Sequence, residues 1–184
     1  MRRRFSWWRL RRLLAESQVL VLDVDGVLTD GGLWFGPEGE LIKRFDVRDG
    51  LGIRLLQQAG VEVAFLSGGL GGATEVRARQ LGVRHCLVGA TDKPVALAGL
   101  CQALGVPAEH ILFVGDDLND LALKGVVGGL IATADAALPL RRQADAVLRR
   151  HGGRGAVREL AERMLRARRL WRQLSCDGWR DRND

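Results

Sequence analysis

A chain of 184 residues with 47% apolar and 27% charged residues has the composition of one folded domain, which excludes a disordered or fibrous protein. No run of eighteen apolar residues occurs, which excludes a spanning helix, and the start MRRRFSWWRLRRLLAES lacks the apolar stretch and cleavage site of a signal peptide. The net charge of +6 is uneven: residues 1–12 hold six arginines and no acid, residues 141–184 thirteen arginines against six acids, and residues 13–140 nine bases against sixteen acids. The basic excess therefore lies at the ends, outside the part that reads as a core, and no RNA-recognition or zinc-finger pattern accompanies it, so no nucleic-acid partner is expected. Cys86, Cys101 and Cys176 are too few and too scattered for a disulfide framework or a zinc site, which predicts a reducing, cytoplasmic setting.

After a basic leader over 1–16, the run VLVLDV at 19–24 is apolar and β-branched, the pattern of a strand buried on both faces. It ends in the loop DGVLTDG. Residues 32–35 and 40–46 can pair across Gly36-Pro37-Glu38-Gly39 as a β-hairpin. Leu51, Leu55 and Leu56 recur at helical spacing over 49–59, with Asp49 as a candidate cap and Gly60 as the stop. A strand over 61–66, a helix over 74–81, a strand over 86–88, a helix over 93–104 and a strand over 111–114 follow. A last amphipathic helix covers 155–171, ahead of a frayed tail. The alternation predicts an α/β fold: a three-layer, Rossmann-like parallel sheet with a β-hairpin insertion after its first strand and no large cap. One domain spans 17–170, with 171–184 as a C-terminal tail.

In such a sheet, ligands bind beyond the carboxyl ends of the strands. The residues at those ends are Asp23 and Asp25 after the first strand, Ser67 after the second, Lys93 beyond the third, and Asp116, Asp117 and Asp120 after the fourth. Carboxylates gathered at one edge repel one another unless a hard divalent cation lies among them, and Mg²⁺ prefers few carboxylates together with phosphate oxygens and water.

These residues carry a resemblance. DVDGVLTD at 23–30, Ser67, Lys93 and GDDLND at 115–120 resemble the four motifs of the haloacid dehalogenase superfamily. Three further segments, GELIKRFDVRDGLGIRLL at 39–56, ADAALPLRRQADAVL at 134–148 and GGRGAVREL at 152–160, resemble its small capless sugar-acid phosphatases, the family typified by 3-deoxy-D-manno-octulosonate 8-phosphate (KDO 8-phosphate) phosphatase. The resemblance implies a Mg²⁺-dependent phosphatase in which Asp23 is the nucleophile and Asp25 the acid that protonates the leaving oxygen. Asp23, Asp116 and the backbone carbonyl of Asp25 would hold the metal, with Asp117 and Asp120 orienting its waters. Ser67 and Lys93 would bind the phosphoryl group, Gly26 and Gly68 would let the backbone approach it, and Arg154 would reach a substrate carboxylate. The resemblance also implies a homotetramer in which hairpin and tail enclose a neighbour's sugar-acid phosphate. A nine-carbon sugar-acid 9-phosphate is the alternative substrate, and a non-catalytic module of the same fold the alternative class.

One position departs from the family. Where it has Thr-Gly-Arg after the second strand, this chain has Ser67-Gly68-Gly69, which keeps the hydroxyl and removes a cation expected near the substrate's acid group. Arg77 and Arg79 are the sequence's candidates to replace it.

Overall fold

Strand β1 (Val19–Leu22) lies at the centre of a six-stranded parallel sheet, flanked by β4 (Glu62–Leu66) and β6 (Ile111–Gly115). The sheet continues outward through β5 (His85–Leu87) on one side and through β7 (Gly129–Ala132) and β8 (Ala146–Val147) on the other, giving the order β5-β4-β1-β6-β7-β8. The computed structural model describes residues 7–176, and side chains from Leu10 onward. The first six and last eight residues, with part of the basic leader and most of the expected tail, lie outside that range.

Every strand at the centre is apolar on both sides because both faces are covered. Leu20, Leu22, Phe65 and Val114 pack against α2 (Val47–Gln58) and α6 (Ala156–Ala167), whose Ile53, Leu56, Leu160 and Met164 are buried. Val21, Leu66 and Phe113 face the other way, toward α4 (Lys93–Leu104) and α5 (Leu138–Gln143), with Leu97, Leu100 and Leu140 buried. Helix α3 (Ala73–Gln80) links β4 to β5. Helix α1 (Trp7–Glu16), within the basic leader, puts Leu14 into the first of these cores, and a short α7 (Trp171–Cys176) follows α6. Trp171 stands under the guanidinium groups of Arg158 and Arg166, 5.7 and 5.1 Å from the ring centre.

Three local expectations change. Asp49 does not cap its own helix; Asp46 does, accepting from Arg48 N, while the buried Asp49 accepts from Gly155 N and Arg158 N and so caps α6. The long final helix is two, broken at Arg168 and Arg169, the latter in left-handed geometry. The hairpin is short, with β2 (Trp34–Phe35) paired antiparallel to β3 (Leu41–Ile42), and Phe45 packs on the core instead of joining the exposed ribbon.

Candidate active site

The order of strands puts β1 at the point where connections diverge to the two sides of the sheet, and the acidic residues lie just past its carboxyl end, where an open parallel sheet binds ligands. An open cleft of about 510 Å³ there is lined by Asp23, Asp25, Gly26, Ser67, Gly69 and Asp116, among others. Asp23 follows β1 directly; its Oδ1 accepts from Val24 N at 2.7 Å and its Oδ2 from Lys93 Nζ at 2.7 Å. Lys93 opens α4, which Asp92 caps through Val95 N, so the cap fixes where the lysine enters the cleft floor.

Lys93 is buried between two carboxylates, Asp23 and Asp120. Burial opposes its charge, but the two aspartates more than offset that, so the ammonium is held above its ordinary range. Asp120 is wholly buried: Oδ1 takes Lys93, and Oδ2 accepts from Asp116 N at 2.8 Å and Asp117 N at 3.2 Å. It thereby folds the GDDLND segment back on itself and seats the lysine. Asp117 is exposed and caps the 3₁₀ turn Leu118–Leu123 through Leu118 N.

One oxygen from each of Asp23, Asp116 and Asp120 lies within 4.8 Å of the other two. Burial, then the charges of Asp23, Asp120 and Asp117, pushes Asp116 up to about 8, and burial pushes Asp23 up to about 6 against the pull of Lys93. Asp116 lies directly over Gly26, where a Cβ would stand 2.0 Å from its Oδ2. Gly26 has φ +84°, so both conformation and space demand glycine. Crowded carboxylates with one lysine among them form a donor set that fits a divalent cation.

Ser67 is buried at the end of β4, its Oγ accepting from Gly69 N at 3.1 Å, and Gly68 is exposed on the cleft wall. Arg154 stands outside the lining, its guanidinium 3.8 Å from Asp30 and largely exposed. Neither proposed substitute for the missing arginine lines the cleft: Arg77 stacks on Phe45 and points to the Asp46 carbonyl, and Arg79 is exposed on α3.

Two groups escaped the sequence reading. Lys43 on the hairpin arm is buried, its Nζ 2.8 Å from Asp25. The signal was present: Leu41, Lys43 and Phe45 share one face of an alternating segment, so a lysine occupies an inward position. The other is the pair Gly152-Gly153, where Cβ atoms would lie 1.8 Å from Gly26 O and 2.4 Å from Thr29 C. The GGRG loop thus packs on its own chain's loop after β1, with Gly153 N donating to Val27 O.

This fold, with Asp23 at the switch point and Lys93 and an acidic loop converging on it, fits the class of phosphoryl-transfer hydrolases. Residues 42–123 match the haloacid dehalogenase-like hydrolase family. The chain is 40% identical over 158 residues to the 3-deoxy-D-manno-octulosonate 8-phosphate phosphatase KdsC of Haemophilus influenzae, covering 86% of this chain and 88% of that protein. It superposes on a Yersinia pestis 3-deoxy-D-manno-octulosonate 8-phosphate phosphatase with TM-score 0.86 at 39% identity, covering 89% and 88% of the two chains. It also superposes on a Moraxella catarrhalis phosphatase of that kind, solved with magnesium ion, phosphate ion and KDO, with TM-score 0.88 at 33% identity, covering 91% and 97%. The chain belongs to the 3-deoxy-D-manno-octulosonate 8-phosphate phosphatase family of haloacid dehalogenase-like hydrolases.

Proposed function

We propose that this chain hydrolyses KDO 8-phosphate to KDO and inorganic phosphate through a phosphoryl group carried on Asp23. The observation that carries the reading is the Lys93 bridge between Asp23 and Asp120 at the floor of an open acidic cleft, which holds one carboxylate rigid and leaves Asp116 beside it. Asp23 and Asp116, with the Asp25 carbonyl, would hold Mg²⁺, which would supply charge to offset carboxylates and phosphate together. A phosphoryl transition state asks for alignment and charge neutralisation more than for covalent help. Asp23 attacks phosphorus, and Asp25 gives its proton to the departing sugar oxygen. Asp25 then takes a proton from the water that hydrolyses the aspartyl phosphate. Ser67 donates its hydroxyl to the phosphoryl oxygens and Lys93 neutralises part of their charge, while Asp117 and Asp120 orient the loop that carries Asp116.

Substrate enclosure is the part a capless fold must find elsewhere. Trp34 and Phe35 are each 69% exposed on the hairpin, and Ile42 beside them 59%, an apolar ribbon that invites pairing with another chain. We read this as the contact of a homotetramer in the cytoplasm, in keeping with three free cysteines. Arg154, displaced from Asp30, would meet the substrate carboxylate as a two-donor fork. Product KDO would feed the cell-envelope lipopolysaccharide. Phosphate release from KDO 8-phosphate, from a nine-carbon sugar-acid 9-phosphate and from neutral sugar phosphates, each with Mg²⁺ and with excess EDTA, tests the reading. A clear preference for KDO 8-phosphate, abolished by EDTA, is the expected result; full activity under chelation or no preference for acidic sugars overturns it.

A further inference from the structure

The hairpin reaches the catalytic edge through one side chain. Lys43 lies just past β3, its side chain 1% exposed, with Nζ 2.8 Å from both carboxylate oxygens of Asp25 and 3.4 Å from Thr74 Oγ1. It is aligned to donate to Oδ2; Oδ1, at the same distance but off the donor line, is buried without a hydrogen bond. Beside the same contact is Gly69, where a Cβ would stand 2.9 Å from Asp25 Oδ2, 3.3 Å from Ser67 Oγ and 3.5 Å from Lys43 Nζ. The missing side chain at 69 leaves the room in which Asp25 turns to the lysine.

Burying an ammonium costs several kcal/mol unless a partner compensates it, so a lysine in this place is committed to Asp25. The aspartate, by contrast, stands at the wall of an open cleft and is a third exposed, where an untethered carboxylate would sample several rotamers. Proton transfer to a leaving oxygen needs one of them, since small misplacements of a reacting group lose rate steeply.

We propose that Lys43 is a positioning residue for Asp25, holding from the hairpin the carboxyl group that serves the leaving oxygen, with Gly69 keeping the space for that contact open. The inference rests on the reading of Asp25 as proton donor. Asp25 enters this step as the neutral carboxyl, still accepting from Lys43; as the phosphorus–oxygen bond breaks its proton moves to the departing oxygen, Lys43 keeps its own, and the carboxylate left behind faces the ammonium. The hairpin therefore acts in its own subunit's bond-breaking step, whatever it does between subunits.

The readout is leaving-group dependence, which loss of packing alone would not move. A nitrophenolate departs with little help, whereas phenolate and alkoxide need the proton. With Mg²⁺ present, kcat/KM is measured for p-nitrophenyl phosphate and phenyl phosphate on wild type, Lys43→Met and Asp25→Asn, alongside thermal unfolding. Lys43→Met should lose about tenfold or more on phenyl phosphate beyond its loss on p-nitrophenyl phosphate, a part of the 10²–10⁴ that acid catalysis supplies. Asp25→Asn should show the same selectivity more strongly. Equal losses on both substrates in Lys43→Met, with Asp25→Asn selective, overturn the role of Lys43 alone. An unselective Asp25→Asn overturns the proton-donor reading and this proposal with it. Lys43→Gln carries the same comparison should the apolar variant not fold.

Discussion

Two regions at the cleft are built in different ways. The floor, from Asp23 through Lys93 to Asp120, stands on three central elements of the fold and is buried, each charge answered by a neighbour a single hydrogen bond away. The flank, made of the hairpin, Gly69 and the GGRG loop, meets the loop after β1 through few contacts: Lys43 to Asp25, Arg44 to Asp30, and glycine backbone against Gly26 and Thr29, with Arg44 also tied to the Gly153 carbonyl. The floor is held by the core, whereas the flank reaches the reacting edge through single contacts such as Lys43 to Asp25.

Removing a floor group should therefore be the most damaging change. Asp23→Asn keeps the shape of the side chain and one acceptor, yet takes away the proposed nucleophile and a charge that Lys93 answers. Turnover should fall by at least about 10³, as for a residue that acts as part of a catalytic unit. Circular dichroism should be unchanged, and kinetics within tenfold of wild type would mean that another group attacks phosphorus.

Lys93→Ala asks whether the floor is structural as well as chemical. Without the ammonium, Asp23 and Asp120 face each other buried and uncompensated, a situation that costs about 3–5 kcal/mol. Chemical denaturation should show a loss of that size together with lost activity. A stability close to wild type would show that water, not the lysine, balances the pair.

The floor was legible in the sequence because each of its residues follows an apolar strand or opens a helix, and the run of apolar residues locates those ends. Lys93 was even placed at its helix start. The outer strands β7 and β8 were not read: β7 lies among Gly125, Gly128 and Gly129, and β8 is two residues long at the sheet edge. Glycine there reads as a loop, but Gly128 is required because a Cβ would stand 2.0 Å from the Glu109 carbonyl oxygen, a contact made by chain 19 residues away. The same blindness to long-range contact hid why Gly152 and Gly153 are glycines and made Asp49 look like a cap for its own helix. Spacing reports what a segment does to itself; it is silent on which distant backbone a segment will touch.

Asp49 offers a test of how the flank is anchored, since it joins the helix after the hairpin to the helix after the GGRG loop. Burial, against two backbone donors, pushes its carboxyl from 3.8 up to about 6. A group whose folded value is raised favours folding below its unfolded value, and that advantage is lost as pH rises through the folded one. The rise corresponds to about 3 kcal/mol lost between pH 4 and pH 7. Asp49→Asn cannot ionise, so the stability difference between wild type and variant should move toward the variant by up to that amount across this window. A difference independent of pH would mean that Asp49 is ionised throughout at no cost.

The smallest effect expected is the most specific to this chain. Gly69 is not in left-handed geometry, so a side chain there is conformationally allowed, and what resists it is the space that Asp25 and Lys43 occupy. A Cβ 2.9 Å from Asp25 Oδ2 would make the carboxylate turn, and a guanidinium beyond it would compete with Lys43 for that carboxylate. Gly69→Arg should thus do two opposed things. A new hydrogen bond to a substrate carboxylate is worth about 1.5 kcal/mol, about a tenfold fall in KM for KDO 8-phosphate, with no gain for a neutral sugar phosphate. At the same time kcat should drop for every substrate with a poor leaving group, because Asp25 has left its place. Gly69→Ala separates the two, carrying the crowding without the cation: it should lower kcat and leave KM alone. Equal KM changes for acidic and neutral substrates in Gly69→Arg would defeat the carboxylate argument. A kcat untouched in both variants would show that Asp25 keeps its pose without the open space at 69, and that the flank constrains the floor less than the Lys43 contact implies.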